Sequence, residues 1–186
     1  DHVVLQCFDA SLIAEAQILA VPLGSEDLRR GECLLDAQGR VARIQRALDG
    51  VKPAFPIDYK DTLAYVLFDG SSASESFFME ALYNHGGFPC LFVGGSAGGK
   101  GDGHTLIHDG KRLYEDHALI ALVKVAPGMR FGVLKSQNFA ATATSFHVIH
   151  ADVAQRTISD VIDGQGRLCP LIDALCEALQ CPEGGL

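Results

Sequence analysis

Two short stretches carry most of the residue types from which a polar site can be built. Phe68-Asp69-Gly70-Ser71-Ser72 offers a carboxylate and two hydroxyls, and Gly94-Gly95-Ser96-Ala97-Gly98 offers one hydroxyl on a backbone almost free of side chains. Glycines let a ligand approach main-chain amides closely, and successive amides form a concavity that suits anions. A small polar or anionic ligand is the chemistry this pairing suggests. Its expected contacts are Asp69, Ser71, Ser72, Gly94, Gly95, Ser96 and Gly98.

Catalytic patterns overlap the second stretch. Gly94–Gly98 fits G-x-S-x-G, with Ser96 as nucleophile, His147 or His150 as base and Asp109 or Asp116 as its partner. That motif needs a helix directly after the serine, and the run Gly98-Gly99-Lys100-Gly101-Asp102-Gly103 nucleates one poorly. Serine hydrolysis is therefore the alternative, and the leading expectation is a protein without catalysis. Gly94 to Lys100 also fits G-x-x-x-x-G-K, but Gly101 stands where a phosphate loop has the hydroxyl for Mg²⁺. The dinucleotide pattern G-x-G-x-x-G is absent. Four of the seven histidines fall in two pairs, His104/His108 and His147/His150, without the Cys/His grouping of structural zinc. A single axial histidine for haem obeys no spacing rule.

The two loops have to be positioned by the elements around them. Leu63 to Phe68 is an apolar run fit for a strand covered on both faces. Ser72-Ala73-Ser74-Glu75 reads as a capping box, and Phe77, Phe78, Ala81 and Leu82 form one apolar helical stripe that Gly86-Gly87 ends. Pro89 to Val93 is the next strand. Strand, helix and strand make a βαβ unit, so both loops leave parallel strands at one sheet edge, where open α/β sheets bind ligands.

Upstream, Val3–Phe8 and Gln17–Leu23 read as strands. Between Gly31 and Leu48, Leu34, Ala37, Val41, Ile44 and Leu48 have helical spacing, but Asp36-Ala37-Gln38-Gly39 has the Asp and Gly of a type I turn. The turn favours a β-hairpin, with Arg40, Arg43 and Arg46 on a solvated face. Pro53 and Pro56 mark Val51–Asp61 as a connector. Downstream, Thr105–His108, Arg112–Tyr114, Leu119–Val125, Phe131–Ser136, Ser145–His150 and Gln155–Ile162 read as strands, with Asp109-Gly110 a hairpin turn. Pro170–Leu179 reads as a helix. The fold class expected is α/β, with mixed sheets around a central βαβ unit followed by antiparallel strands. The expected divisions are 1–60, strands and hairpin with the connector; 61–165, a sensory core; and 166–186, a helix opening a further half.

Composition narrows the function classes. In 186 residues, 48 % are hydrophobic and 20 % charged, which excludes intrinsic disorder. Fifteen basic against twenty-three acidic residues leave a net charge of −8, a poor partner for nucleic acid or anionic membranes. No run approaches the roughly 20 apolar residues of a spanning helix, and no leader pattern precedes the first strand. The six cysteines show no C-x-x-C pair and read as reduced, small buried side chains of a cytoplasmic protein.

Four segments in order resemble the FIST domain, a sensory module of bacterial signalling proteins. Tyr65-Val66-Leu67-Phe68-Asp69-Gly70 resembles its strand ending in DG, and Phe92-Val93-Gly94-Gly95-Ser96-Ala97-Gly98 its GGSAG core. Thr105-Leu106-Ile107-His108-Asp109-Gly110 resembles the strand that follows, and Asp160-Val161-Ile162-Asp163-Gly164 the step towards the C-terminal half. The likeness spans about 60 to 165. Where the family commonly has Asp after GGSAG, this chain has Gly99, with Asp102 nearby. The resemblance implies a piece of a longer domain that senses a small, amino-acid-like ligand and signals to a histidine kinase, a cyclic-di-GMP enzyme or a chemoreceptor. One branch of the family resembles haem-binding nitric-oxide sensors, which would make His108, His147 or His150 the axial ligand.

Overall fold

The structure, a computed structural model, describes residues 7–98, 105–137, 140–153 and 157–185. The expected strand at Val3–Phe8 falls largely outside them, as do Lys100, Asp102, His104 and the start of the strand at Gln155. The chain divides into two compact units, residues 1–133 and 134–186.

The first unit is built on a four-stranded mixed sheet. β1 (Ile13–Pro22) is followed by α1 (Glu26–Arg29), α2 (Ala37–Asp49), β2 (Thr62–Phe68), α3 (Glu75–His85) and β3 (Leu91–Ser96). A small hairpin, β4 (Ile107–His108) and β5 (Leu113–Tyr114), precedes β6 (His117–Val125). The sheet order is β1-β6-β2-β3, with β2 and β3 parallel and the other neighbours antiparallel. The βαβ reading and the α/β class with mixed sheets are therefore what the chain adopts.

Alternation along the strands sends one set of side chains to a helix-covered face. Leu19 and Val21, Ala64, Val66 and Phe68, and Ala118, Ile120 and Leu122 pack there against Val41, Ile44 and Leu48 of α2 and Phe77, Phe78, Ala81 and Leu82 of α3. Phe78 is completely enclosed and meets Phe68 edge-on at 5.2 Å. On the opposite face Leu119 packs with Ile107 and Tyr114 of the hairpin, while Ile18 and Leu67 stay nearly half exposed.

The hairpin expected between Gly31 and Leu48 is a helix instead. Asp36 does sit three residues before Gly39, but as the N-cap of α2: its Oδ1 accepts the Gly39 N–H at 2.7 Å. The spacing that suits a type I turn suits a helix cap equally, and the apolar stripe decides between them. Nor does Arg40 face solvent. It is 3 % exposed, and its guanidinium grips Asp27 with two hydrogen bonds of 3.1 and 2.6 Å. The strand expected at Phe131–Ser136 is also absent, since those residues form no regular element.

In the second unit β7 (His147–Asp152), β8 (Thr157–Ile162) and β9 (Leu168–Pro170) form an antiparallel sheet beside α4 (Leu171–Leu179). Its buried apolar side chains among the described residues are Val161 and Ala174. The expectation that the cysteines are small buried side chains does not hold: Cys7 and Cys33 are exposed and the other four half-buried.

Candidate functional site

Parallel pairing of β2 with β3 sets Phe68 beside Ser96, so the loops that leave them emerge at one end of the sheet. They touch through their backbones. The Ala97 N–H donates to the Phe68 carbonyl at 2.8 Å, and a Cβ at Gly70 would lie 2.0 Å from the Ala97 oxygen. Only glycine fits at position 70 for that reason.

Asp69 is the keystone of the first loop and is completely buried. Its Oδ1 accepts the Ser71 N–H at 3.0 Å, the Ser71 hydroxyl at 2.6 Å and the Thr105 hydroxyl. Its Oδ2 accepts the Asp116 N–H at 2.5 Å. Burial alone would push the Asp69 carboxyl up, but these hydrogen bonds outweigh it and hold the group below its ordinary value. The network continues through Asp116, a left-handed residue (φ 54°) whose carboxylate accepts the Ser25 N–H at 2.9 Å and the Ser25 hydroxyl. Arg29 stands 3.8 Å from the same carboxylate. Asp69 and Asp116 thus tie four separate segments together.

The other expected contacts divide by exposure. Ser72 is buried, with its N–H on the Asp69 carbonyl at 3.0 Å and its Oγ accepting from the Ser74 N–H at 3.4 Å. The capping box does not form. α3 begins at Glu75 with Ser74 as N-cap, because Gly70–Ser72 is a separate 3₁₀ turn and Ala73 adopts φ 51°. Ser71 is half-buried, while Gly94, Gly95, Ser96 and Gly98 are exposed. Glu75, freed from capping, accepts the Ser96 hydroxyl at 2.6 Å.

A cavity of about 280 Å³ opens beside the end of β3. Gly94, Gly95 and Ser96 form one wall, Glu75 and Met79 of α3 another, and Val66, Phe68 and Phe92 the apolar floor. The space lies on the α3 side of β3 rather than between the loops; Asp69 and Ser72 support its rim from beneath. Gly94 has φ 157°, and a Cβ there would meet the Val66 carbonyl oxygen at 1.8 Å. Sequence inspection misses Glu75 as a wall, because a capping role explained it, and misses the support from Thr105, Ser25 and Asp116, the last expected only as the partner of a catalytic base.

The residues paired with other chemistries are placed differently. The Ser96 hydroxyl donates to a carboxylate, not to an imidazole base. Asp109 closes its own hairpin turn, accepting from the Lys111 and Arg112 N–H groups at 2.7 and 2.9 Å and from the Tyr114 hydroxyl at 2.8 Å. His108, His147 and His150 are all exposed. His108 accepts the Gly110 N–H at Nδ1, and His150 Nδ1 lies 3.2 Å from Asp160. These side chains do not fit a haem, whose axial histidine sits within an apolar slot that shields the macrocycle. Among the described residues no group of three or more His, Cys, Asp or Glu side chains can hold a metal ion. Among the described residues no helix is long and apolar enough to cross a membrane.

Neither the curated proteins nor the solved structures yield a match to the chain. A family model does: the FIST N domain aligns with residues 4–163, taking in the first unit and the β7–β8 pair of the second. With β2, α3, β3 and the stretches 68–72 and 94–98 inside that span, the chain belongs to the FIST N domain family, sensory domains of signal-transduction proteins.

Proposed function

We propose that this chain is the ligand-capturing part of a cytoplasmic signalling protein and performs no catalysis itself. A small polar ligand of amino-acid-like character occupies the cavity beside β3. Its polar groups meet the Ser96 hydroxyl, the Glu75 carboxylate and the exposed main chain of Gly94 and Gly95, and its apolar part lies over Phe68 and Phe92. Glu75 stands in the first turn of α3 and already compensates the positive end of that helix. A hydrogen-bond donor or an ammonium group therefore suits the site better than an anion. Asp69, Ser71 and Ser72 hold the rim in place. The output is a shift between two arrangements of the rim, read by a histidine kinase, a cyclic-di-GMP enzyme or a chemoreceptor.

The observation that carries this reading is the main-chain contact of the two loops beside a part-apolar, part-polar cavity. Thermal melting against a panel of amino acids and small metabolites tests it. A true ligand at one hundred times its Kd adds about 2.7 kcal/mol of stability, a rise in Tm of several degrees. Ser96→Val should abolish that rise while leaving the unliganded melt unchanged. A ligand that still stabilises Ser96→Val overturns this placement of the site.

A further inference from the structure

α4 belongs to the second unit, with Cys176 in its last turn and Cys181 just beyond its end. The helix ends at Gln180, whose φ is 53°. The Cys181 N–H donates to the Cys176 carbonyl at 3.1 Å, and the Gln180 N–H to the Glu177 carbonyl at 3.3 Å. That pair of hydrogen bonds is a Schellman closure, in which the residues joined by the wider bond turn their side chains towards one another, usually as an apolar contact. Here both positions are cysteines, both half-buried and both free. Packing therefore does not consume either thiol, and the cap holds the two side by side.

We propose that Cys176 and Cys181 are a dithiol site which low-molecular-weight disulfides oxidise to an intramolecular bridge across the cap of α4. Bridging needs Cα atoms roughly 4.4–6.8 Å apart, a separation that a direct main-chain hydrogen bond between the two residues brings within reach. Burial first, and then the negative charges of Cys181, Glu183 and Asp173, push the Cys176 thiol up. First attack belongs to Cys181, which lies beyond the end of α4, and Cys176 within the helix resolves it. The Cys181 thiolate attacks one sulfur of the small disulfide; that S–S bond breaks and the other half leaves as a thiolate. Cys176 then loses its proton and attacks the Cys181 sulfur, displacing the second half as a thiolate. Two protein thiols are oxidised, one small disulfide is reduced to two thiols, and the departing thiolates take up the two protons.

The test treats the full chain with oxidised glutathione, alkylates the remaining thiols after denaturation and maps the products by mass spectrometry. The expected product is a bridge between Cys176 and Cys181 with Cys7, Cys33, Cys90 and Cys169 alkylated. In Cys176→Ser the mixed disulfide on Cys181 should accumulate roughly tenfold above the native chain, since nothing resolves it. A second pair of variants isolates the geometry with both thiols retained. Gln180→Gly keeps the left-handed cap and the bridging rate, whereas Gln180→Val resists that conformation and slows bridging about tenfold. A bridge from Cys169, modification spread evenly over all six cysteines, or equal rates in the two Gln180 variants would overturn the proposal.

Discussion

The loop after β2 and the glycine-rich end of β3 sit against each other, yet they are specified in opposite ways. The first is held by side chains: Asp69 alone gathers hydrogen bonds from Ser71, Thr105 and Asp116, and its environment is buried. The second is shaped by missing side chains, with Gly94 at φ 157° pressed to Val66 and Ala97 pressed to Gly70. One polar side chain of that second strand, Ser96, reaches across to Glu75. A rigid support beneath an open surface is the division of labour a capture site needs. The first region fixes the rim through side chains, and the second leaves main chain open for recognition.

Substitutions can break that comparison at each level. The largest effect is expected from Gly94→Ala, which drives a Cβ into the Val66 backbone and demands a left-region φ of a residue that resists it. We expect a loss of about 3 kcal/mol or more, read as a fall in the urea midpoint. Asp69→Ala should cost about 3 kcal/mol, because it leaves the buried Asp116 N–H without its acceptor. A cost below about 1 kcal/mol would mean that water replaces the carboxylate and that the first loop is not the rigid one. Ser96→Val, by contrast, should change unliganded stability by less than about 0.5 kcal/mol.

Acid sharpens the same contrast. Asp69 is held below its ordinary value and Asp27 falls to about 2 beside Arg40. Because both folded values lie below those of the unfolded chain, their contribution is fully present above about pH 4 and is lost as pH falls towards 2. Urea midpoints measured from pH 5 to pH 3 should decline, and the decline should be shallower in Asp69→Asn. An equal slope in that variant would show that the carboxylate contributes no proton linkage.

How much of this was legible in the sequence depends on how local the cause is. The βαβ unit could be read because its apolar runs, its helical stripe and its glycine stop all lie within about thirty residues. The same holds for the Asp109-Gly110 turn. α2 was ambiguous because Asp36 and Gly39 serve a turn and a cap alike; burial of Arg40 against Asp27, thirteen residues away, settles what spacing leaves open. The expected capping box failed because Ser72 satisfies the Asp69 turn first. The support of the site was invisible, since Thr105 and Asp116 lie 36 and 47 residues beyond Asp69. The thiol pair likewise depends on where a helix ends, which spacing alone does not reveal.

The Asp69 junction joins segments that are far apart along the chain, Ser25 reaching Asp116 across 91 residues. Loops that long close late, after the local βαβ unit has condensed. The junction should consequently contribute little to the folding nucleus: Asp69→Ala would speed unfolding while leaving refolding nearly as fast. An assembly step that comes last is also the first to be undone. The rim can then open and reclose on its own while Phe78 and its neighbours stay packed.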